Sequence, residues 1–215
     1  MFYRTDGPHG LPHNPFTACI TPRPIGWISS LDAAGRVNLA PYSFFNGVLS
    51  RPPMVMFACN AGPDMDDRLQ KDTLSNVETT GEFVVNIVGH DLREQMNLTS
   101  AHVAPEVDEM ALAGLTPAPS RLVAPPRVAE APIHMECRLF RVVELPNPDG
   151  DARNAVVIGS VLGIHIDERV LVDGMIDVAR LRPLARMGYR DYAVVDEVFA
   201  MPRPAVPASE GHGKG

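Results

Sequence analysis

The chain has 215 residues, of which 45% are hydrophobic and 21% charged, and its formal net charge is −7 at pH 7. This composition can supply a full apolar core, and the acidic balance argues against a general nucleic-acid or membrane-surface binder. No apolar run approaches the ~20 residues of a membrane-spanning helix, and the first residues lack the basic start and apolar core of a secretory signal, so we expect a cytoplasmic protein.

Short strands dominate the predicted elements, because 21 prolines and 17 glycines divide the chain into brief segments. In chain order, strands are predicted over 17–31 with a break at Pro22–Pro24, then over 37–43, 54–60, 83–88, 132–146, 155–166 and 192–201. Helices are predicted over 72–82, 90–100 and 107–115. The pattern favours one mainly β domain (17–201), a closed barrel with a few helices at its rim, between an irregular arm (1–16) and an extended or disordered tail (202–215).

Three cysteines, Cys19, Cys59 and Cys137, lie in separate apolar, strand-like segments. They are too few and too scattered for a disulfide framework or a zinc site, so we expect all three to be buried. His9 and His13 have the spacing of a helical metal pair, but the intervening Gly-Leu-Pro cannot hold a helix. No metal site is expected.

Candidate ligand-binding residues begin with PRPIGWISS, residues 22–30. The two prolines fix the backbone as a rigid rim, and Gly26 allows another group to approach it closely. Ser29 and Ser30 place one hydroxyl on each face of a strand, and Arg23 adds a charged donor. The alternative is a bent edge strand whose arginine binds nothing.

A second candidate is the stretch NLAPYS, in which Asn38 and Ser43 flank Ala40, Pro41 and Tyr42. Alanine and proline leave room for a flat ligand against the peptide planes. The alternative is a strand that simply ends in a turn.

The third candidate lies where a strand ends at Asn60 and KDT opens a helix. Asp72 is predicted as the N-cap, and the exposed N–H groups of the first helical turn attract an anion. Lys71 adds a positive charge and Thr73 a hydroxyl at the same place. Together they could hold a phosphate monoester, and the alternative is a surface lysine beside an ordinary helix cap.

Two further candidates lie downstream. The stretch PLARMGYRDY carries Arg186, which could bind phosphate or a ring carbonyl, and Tyr189, which could stack on a ring. His165 faces away from Ile164 and Ile166 on its strand and is a candidate proton relay, with a purely structural histidine as the alternative.

These segments together resemble a known family. TPRPIGWISSLDAAGRVNLAPYSFFNGVLSRPPMVMFACN, then KDTLSNVETTGEFVVNIV, then MN and TS within 96–100, are similar to the flavin reductase-like family with its FMN-binding split barrel. That family includes flavoredoxin-type proteins and the reductase components of two-component flavin monooxygenases. The resemblance covers most of residues 17–200 and is strongest in 17–100.

The resemblance implies a Greek-key split β-barrel that binds FMN, with FAD as the alternative, at a homodimer interface. It places the phosphate at Asn60 and the Lys71–Thr73 turn, and it leaves open whether Tyr189 or Tyr192 is the family's C-terminal tyrosine. The implied cofactor-binding residues are Arg23, Pro24, Ile25, Trp27, Ser29, Ser30, Asn38, Ala40, Pro41, Tyr42, Ser43, Asn60, Lys71, Asp72, Thr73, Arg186 and Tyr189. Of the aromatic residues Trp27, Tyr42, Phe44 and Phe45, at least two are expected in core or dimer packing instead.

The implied reaction is hydride transfer from NADH or NADPH to FMN, which would serve a partner monooxygenase. The flavin carries the electrons, so the absence of a catalytic triad, a P-loop and a dinucleotide fingerprint from the sequence agrees with this chemistry. The main alternative is an FMN-carrying electron-transfer protein without NAD(P)H oxidation of its own. A binding barrel with no redox turnover is a third, weaker alternative.

Overall fold

The computed structural model describes residues 1–60, 70–148 and 150–204. The strands are β1 Arg23–Pro24, β2 Gly26–Leu31, β3 Val37–Tyr42, β4 Phe45–Ser50, β5 Pro53–Cys59, β6 Glu82–Ile87, β7 Pro117–Ala118, β8 Arg127–Val128, β9 Ile133–Leu145, β10 Asn154–Ile166, β11 Leu171–Val172, β12 Met175–Ile176, β13 Leu184–Arg186 and β14 Tyr192–Val194. The helices are α1 Phe16–Cys19, α2 Asp72–Thr80, α3 Arg93–Leu98, α4 Glu109–Leu112 and α5 Val178–Leu181, with 3-10 turns at His90–Leu92 and Glu168–Val170.

Seven antiparallel strands form the main sheet, in the order β3-β2-β6-β9-β10-β5-β4. Its two edge strands, β3 and β4, follow one another in the chain and are joined only by Ser43 and Phe44. A link of two residues brings the end of β3 next to the start of β4, so the sheet curls round until its first and last strands meet at that corner. The predicted mainly β barrel is therefore confirmed as the fold.

The barrel interior is an apolar cluster centred on aromatic residues. The ring of Phe57 lies 5.0 Å from the ring of Tyr42 and 5.3 Å from that of Phe83, centroid to centroid. A Cβ at Gly26 would lie 2.6 Å from the ring of Phe45, so the close approach predicted there is confirmed. Helix α2 adds buried apolar side chains to this cluster and ends, as predicted, at Gly81, which has φ 74° and bonds back to a helix carbonyl.

A second apolar cluster lies on the outer face of the sheet, beneath α3 and α4. Trp27 is completely buried here, together with Leu39, Met96 and Met110. The indole N–H of Trp27 donates a 2.8 Å hydrogen bond to the Thr99 hydroxyl. This cluster fixes α3 and the chain after it against the barrel wall.

A small three-stranded sheet, β1-β13-β14, brings residues near the start and end of the chain together, and Arg23 pairs directly with Arg186. Residues 17–20, predicted as strand, instead belong to the helical turn α1 and its end. The reason is a tertiary contact: the guanidinium of Arg23 binds the carbonyls of Thr17 and Ile20, which a helical turn points in one direction. Position 188 must be glycine in this packing, because a Cβ there would lie 2.5 Å from Ala18 Cβ.

Several other sequence predictions need correction. Strand β4 was missed, because its FNGVLS sequence lacks alternation and is exposed beyond its first residue. The last strand ends at Val194 rather than 201, and α4 covers only part of 107–115. Cys59 and Cys137 are buried as predicted, but Cys19 lies exposed on α1. The boundaries of the proposed domain at 17 and 201 stay a prediction, and residues 205–215 of the predicted tail lie outside the described residues.

Within the part of the chain that the structure describes, no helix is both long and apolar enough to cross a membrane.

Candidate functional site

Two adjoining cavities form one groove at the barrel rim. The helix-end cavity, about 130 Å³, reaches the start of α2 and is lined there by Lys71 and Asp72. The arginine-end cavity, about 420 Å³, is lined by Arg23 and Arg186. Both cavities are bounded by Pro41 and Ser100, so they meet at those two residues. We call their union the groove.

The helix-end cavity faces the first turn of α2. Lys71 rather than the predicted Asp72 is the N-cap residue, with extended backbone at φ −68° and ψ 143°, and no side-chain cap bond forms there. A lysine side chain has no acceptor, so it cannot satisfy the N–H groups of the first turn as aspartate would. The nine-residue helix thus brings the positive end of its dipole and a lysine ammonium to one end of the groove.

A buried polar network holds the first turns of α2 against the sheet. Asn38 Nδ2 donates to Thr73 Oγ1 at 2.8 Å and approaches Ser30 Oγ at 3.4 Å, and Asn76 Nδ2 donates to the same Ser30 Oγ at 3.2 Å. Ser30 and Thr73 are buried and line neither cavity of the groove. Their hydroxyls hold α2 against β2 and β3, while Asn38 lines the groove itself.

Glu109 supplies a buried carboxylate to the helix-end cavity. It is 6% exposed, and its Oε2 accepts a 3.0 Å hydrogen bond from the Leu39 N–H. Burial raises the pKa of this carboxyl group, and the nearby charge of Asp72 adds to the effect. One oxygen of the Glu109 carboxyl group is thus fixed by a hydrogen bond, and the group ionises less readily than an exposed glutamate.

The arginine-end cavity contains a buried cation with no acidic neighbour in its lining. Arg23 is 6% exposed and donates to three backbone carbonyls, those of Thr17, Ile20 (2.7 Å) and Met187 (2.8 Å). Its Nε is buried and has no hydrogen-bond partner among the described residues. Burial lowers the pKa of Arg23, and the charge of Arg186 lowers it further. Two guanidinium groups without a carboxylate in the lining favour an anionic or electron-rich ligand.

Arg186 is held at the mouth of this cavity by the two tyrosines that the sequence left open. It donates to the Tyr192 hydroxyl and to the Tyr189 carbonyl, and its guanidinium lies 4.5 Å from the centre of the Tyr192 ring. Both tyrosines line the cavity. They are half-exposed and can contact a ligand that enters from solvent.

The structure brings most of the predicted residues into the groove and leaves others outside it. Those that line it are Arg23, Ile25, Asn38, Ala40, Pro41, Tyr42, Ser43, Lys71, Asp72, Arg186 and Tyr189. Those that do not are Pro24, Trp27, Ser29, Ser30, Asn60 and Thr73.

Residues outside the groove have identifiable reasons for their positions. Ser29 shares the outer strand face with buried Trp27, and its hydroxyl donates to the Pro126 carbonyl at 2.6 Å. Pro24 is exposed in β1, and Asn60 is exposed directly after β5. The alternation of a strand sends neighbouring side chains to opposite faces, so a continuous run such as 23–30 cannot line one cavity throughout.

His165 also lies elsewhere, on the outer face of the β9-β10 hairpin. Its Nε2 is 2.5 Å from Glu136 Oε1, and the same carboxylate accepts from the N–H groups of Arg121 and Leu122. His165 lines neither cavity of the groove. Its described partners give it a part in fastening the 119–128 loop to the sheet.

The sequence analysis did not predict the groove residues that come from α3 and α1. Met96, Asn97 and Ser100, from α3 and the residue pair after it, line the groove opposite Pro41, and Thr17 lines it from α1. The MN and TS pattern at 96–100 was the available signal, but a motif with no predicted neighbour could not be placed. Among residues 1–60, 70–148 and 150–204, no cluster of three or more His, Cys, Asp or Glu side chains could hold a metal ion.

Comparison with known proteins places this barrel and groove in a family. Residues 18–182 match the flavin reductase like domain, and the chain belongs to that family. The chain is thus a member of the flavin reductase-like class of split-barrel proteins.

Individual relatives are similar over most of their lengths. An uncharacterized protein of Aquifex aeolicus is 38% identical over 174 residues, which cover 80% of this chain and 84% of that protein. Nitrilotriacetate monooxygenase component B from Bacillus cereus is 34% identical, with a TM-score of 0.79, and the match covers 86% of this chain and 90% of the other. The 2-nitrobenzoate 2-nitroreductase of Pseudomonas fluorescens is 28% identical, with a TM-score of 0.76 and coverage of 91% and 92%.

Proposed function

We propose that this protein binds FMN in the groove and transfers a hydride to it from NADH or NADPH. The observation that carries the proposal is that the start of α2 and the buried Arg23 belong to cavities that meet at Pro41 and Ser100. An anionic tail and an aromatic ring of one ligand can therefore be bound at the two ends of a single groove.

The donor set fits this cofactor. At the helix end, the first-turn N–H groups of α2 and the ammonium of Lys71 would hold the phosphate. Toward the arginine end, Pro41, Ser43 and Phe44 offer a flat surface with a hydroxyl, of the kind that a tricyclic ring requires. The buried Nε of Arg23 is a donor that lacks a described partner, and a ring carbonyl or nitrogen would satisfy it.

A bound flavin would supply the hydride acceptor, so the protein needs no strong acid or base of its own. Arg23 and Arg186 place positive charge where the ring becomes electron-rich, and Arg23 is fixed there before any ligand arrives by its three carbonyl partners. Tyr189 and Tyr192 line the mouth and would orient an incoming nicotinamide and exclude water. No role in hydride transfer is proposed for His165.

We propose further that the protein is a cytoplasmic homodimer that supplies reduced flavin to a monooxygenase. Val48 and Leu49 on the edge strand β4, and Phe140 and Ile164 on the long hairpin, are about half exposed or more, which supports a self-associating surface. The similarity to a monooxygenase component B supports the choice of partner. Analytical ultracentrifugation tests the dimer, and a monomer that binds flavin tightly would contradict it.

The function itself is tested by a spectrum and a mass of the compound that co-purifies, followed by turnover. We expect FMN, and a rapid loss of absorbance at 340 nm when NADH or NADPH is added with excess FMN. A yellow protein without NAD(P)H oxidation would instead support the electron-transfer alternative. A colourless protein that does not quench FMN fluorescence would refute flavin binding altogether.

A further inference from the structure

The groove does not end at the arginine-end cavity. A further cavity of about 360 Å³ shares Met96, Asn97 and Tyr192 with it. This cavity shares His90 in turn with another of about 380 Å³, which we call the three-arginine cavity. The cavities thus follow one another in series from the arginine end of the groove, and each shares at least one lining residue with the next.

The charged residues that line the three-arginine cavity are three arginines, Arg169, Arg180 and Arg182, and two acidic residues, Asp91 and Glu130. Two of the three arginines have acidic partners at or near the surface: Arg169 lies 3.0 Å from the exposed Asp167, and Arg180 lies 3.7 Å from the partly exposed Asp177. Arg169 also donates a 3.0 Å hydrogen bond to the Glu130 carbonyl. Such surface pairs contribute little and exchange readily for a stronger anion.

Arg182 differs from the other two arginines in two respects. Its side chain has no ion pair or hydrogen bond with any described residue, and its backbone is left-handed, at φ 43° and ψ 55°. The backbone of Arg182 alone makes its local hydrogen bonds. Its N–H donates to the Val178 carbonyl at 2.8 Å, and its carbonyl accepts from the His90 N–H at 2.9 Å. Glycine would cap α5 equally well with less strain. The arginine side chain therefore stands at an unfavourable backbone position that does not itself need it.

We propose that Arg182, assisted by Arg169 and Arg180, binds a phosphate of the adenylate half of the reduced nicotinamide dinucleotide. This inference rests on the proposed function, because it takes the arginine end of the groove as the place where the nicotinamide meets the flavin. An extended dinucleotide is the kind of ligand that occupies several adjoining cavities in series. The adenylate half of an FAD would leave from the phosphate, at the opposite, helix end of the groove.

The bound phosphate is either the pyrophosphate, which NADH and NADPH share, or the 2′-phosphate, which only NADPH carries. Two probes distinguish these sources: ADP carries the diphosphate alone, and 2′,5′-ADP carries the 2′-phosphate. Binding of each to the FMN-loaded protein is measured by isothermal titration calorimetry at low ionic strength, because screening weakens exposed charge contacts. If the protein takes up no FMN, the same titration is made without it, so the result does not depend on the proposed function.

The informative variant is Arg182→Gly, which removes the charge and relieves the backbone. We expect at least tenfold weaker binding of one or both probes without any fall in melting temperature. Asp173→Gly is the matched control, since Asp173 is also left-handed, at φ 51°, but does not line the cavity. It should match the effect of Arg182→Gly on melting and leave probe affinity unchanged.

The pattern across probes and variants decides the outcome. A loss for ADP, alone or together with 2′,5′-ADP through its 5′-phosphate, supports the pyrophosphate as the bound group, and a loss for 2′,5′-ADP alone supports the 2′-phosphate and a preference for NADPH. Arg182→Lys, which keeps the charge, should retain part of the affinity, and Arg182→Asn replaces the glycine variant if that one does not fold. The proposal is overturned if the wild type binds neither probe, or if the uncharged variants bind both as the wild type does. FMN titrations of the same variants should be unchanged, which separates a failure here from a failure of flavin binding.

Discussion

The contact between Gly188 and α1 gives the sharpest test of how the groove is built. A Cβ at position 188 would lie 2.5 Å from Ala18 Cβ and 2.9 Å from Ala18 Cα. Neither atom can rotate away, so α1 or the β13-β14 loop must move. Overpacking of this kind costs about 1–3 kcal/mol, and for a chain of this size each 1 kcal/mol lowers Tm by roughly 2–4 °C. Gly188→Ala should therefore melt about 2–12 °C below the wild type.

Thermal denaturation followed by circular dichroism measures this change, and Gly47→Ala is the matched control. Nothing lies within 4 Å of a Cβ at Gly47, so that variant should melt at or slightly above the wild-type temperature. Thr17 and Tyr189 adjoin the contact and line the arginine-end cavity, so Gly188→Ala should also weaken FMN binding, and Gly47→Ala should not. An unchanged Tm for Gly188→Ala would mean that α1 is not packed against this loop, and the account of the arginine end would fail.

Four further changes test separate parts of the molecule. Lys71→Met should weaken FMN binding by about 1.5–3 kcal/mol, roughly 10–150-fold, and leave riboflavin binding unchanged, whereas equal losses in the two titrations would place the phosphate elsewhere. Thr73→Val should leave FMN affinity largely intact and reduce stability, because the Thr73 hydroxyl accepts from a buried amide. Trp27→Phe removes the bond to Thr99 and should lower the free energy of unfolding in urea by roughly 1–3 kcal/mol, and normal stability would argue against its burial. Burial lowers the pKa of His134 from 6.5 to about 4, so stability is full above pH 6.5 and falls as the pH drops toward 4, by up to roughly 3 kcal/mol. His134→Gln should flatten that profile, and profiles that run parallel would contradict the assignment.

The parts of the fold that depend on local pattern could be predicted from the sequence. The hairpin of β9 and β10 follows from alternating apolar and polar residues, and the end of α2 follows from Gly81, where a left-handed backbone is needed. Helix α1 could not be predicted, because its carbonyls are bound by Arg23 and its packing depends on Gly188, which lies far along the chain. Local propensity gives no information about such a contact.

The candidate site was predictable in its segments but not in its side chains. The stretches around Arg23, Pro41 and Lys71 do line one groove, as their polar character indicated. Trp27 was expected at the cofactor because of the family resemblance, yet the alternation of strand β2 sends its side chain into the outer core. The α3 residues of the groove could not be predicted from the sequence, because only the folded barrel brings them next to Pro41.

The two-residue link between β3 and β4 also constrains how this scaffold can change. Ser43 and Phe44 close the barrel and at the same time line the arginine-end cavity. An insertion between them would loosen the closure of the barrel and displace the surface that we propose for the flavin ring at the same time. Engineering of an altered ligand preference is better directed at the 96–103 and 186–192 segments, which border the groove without closing the barrel.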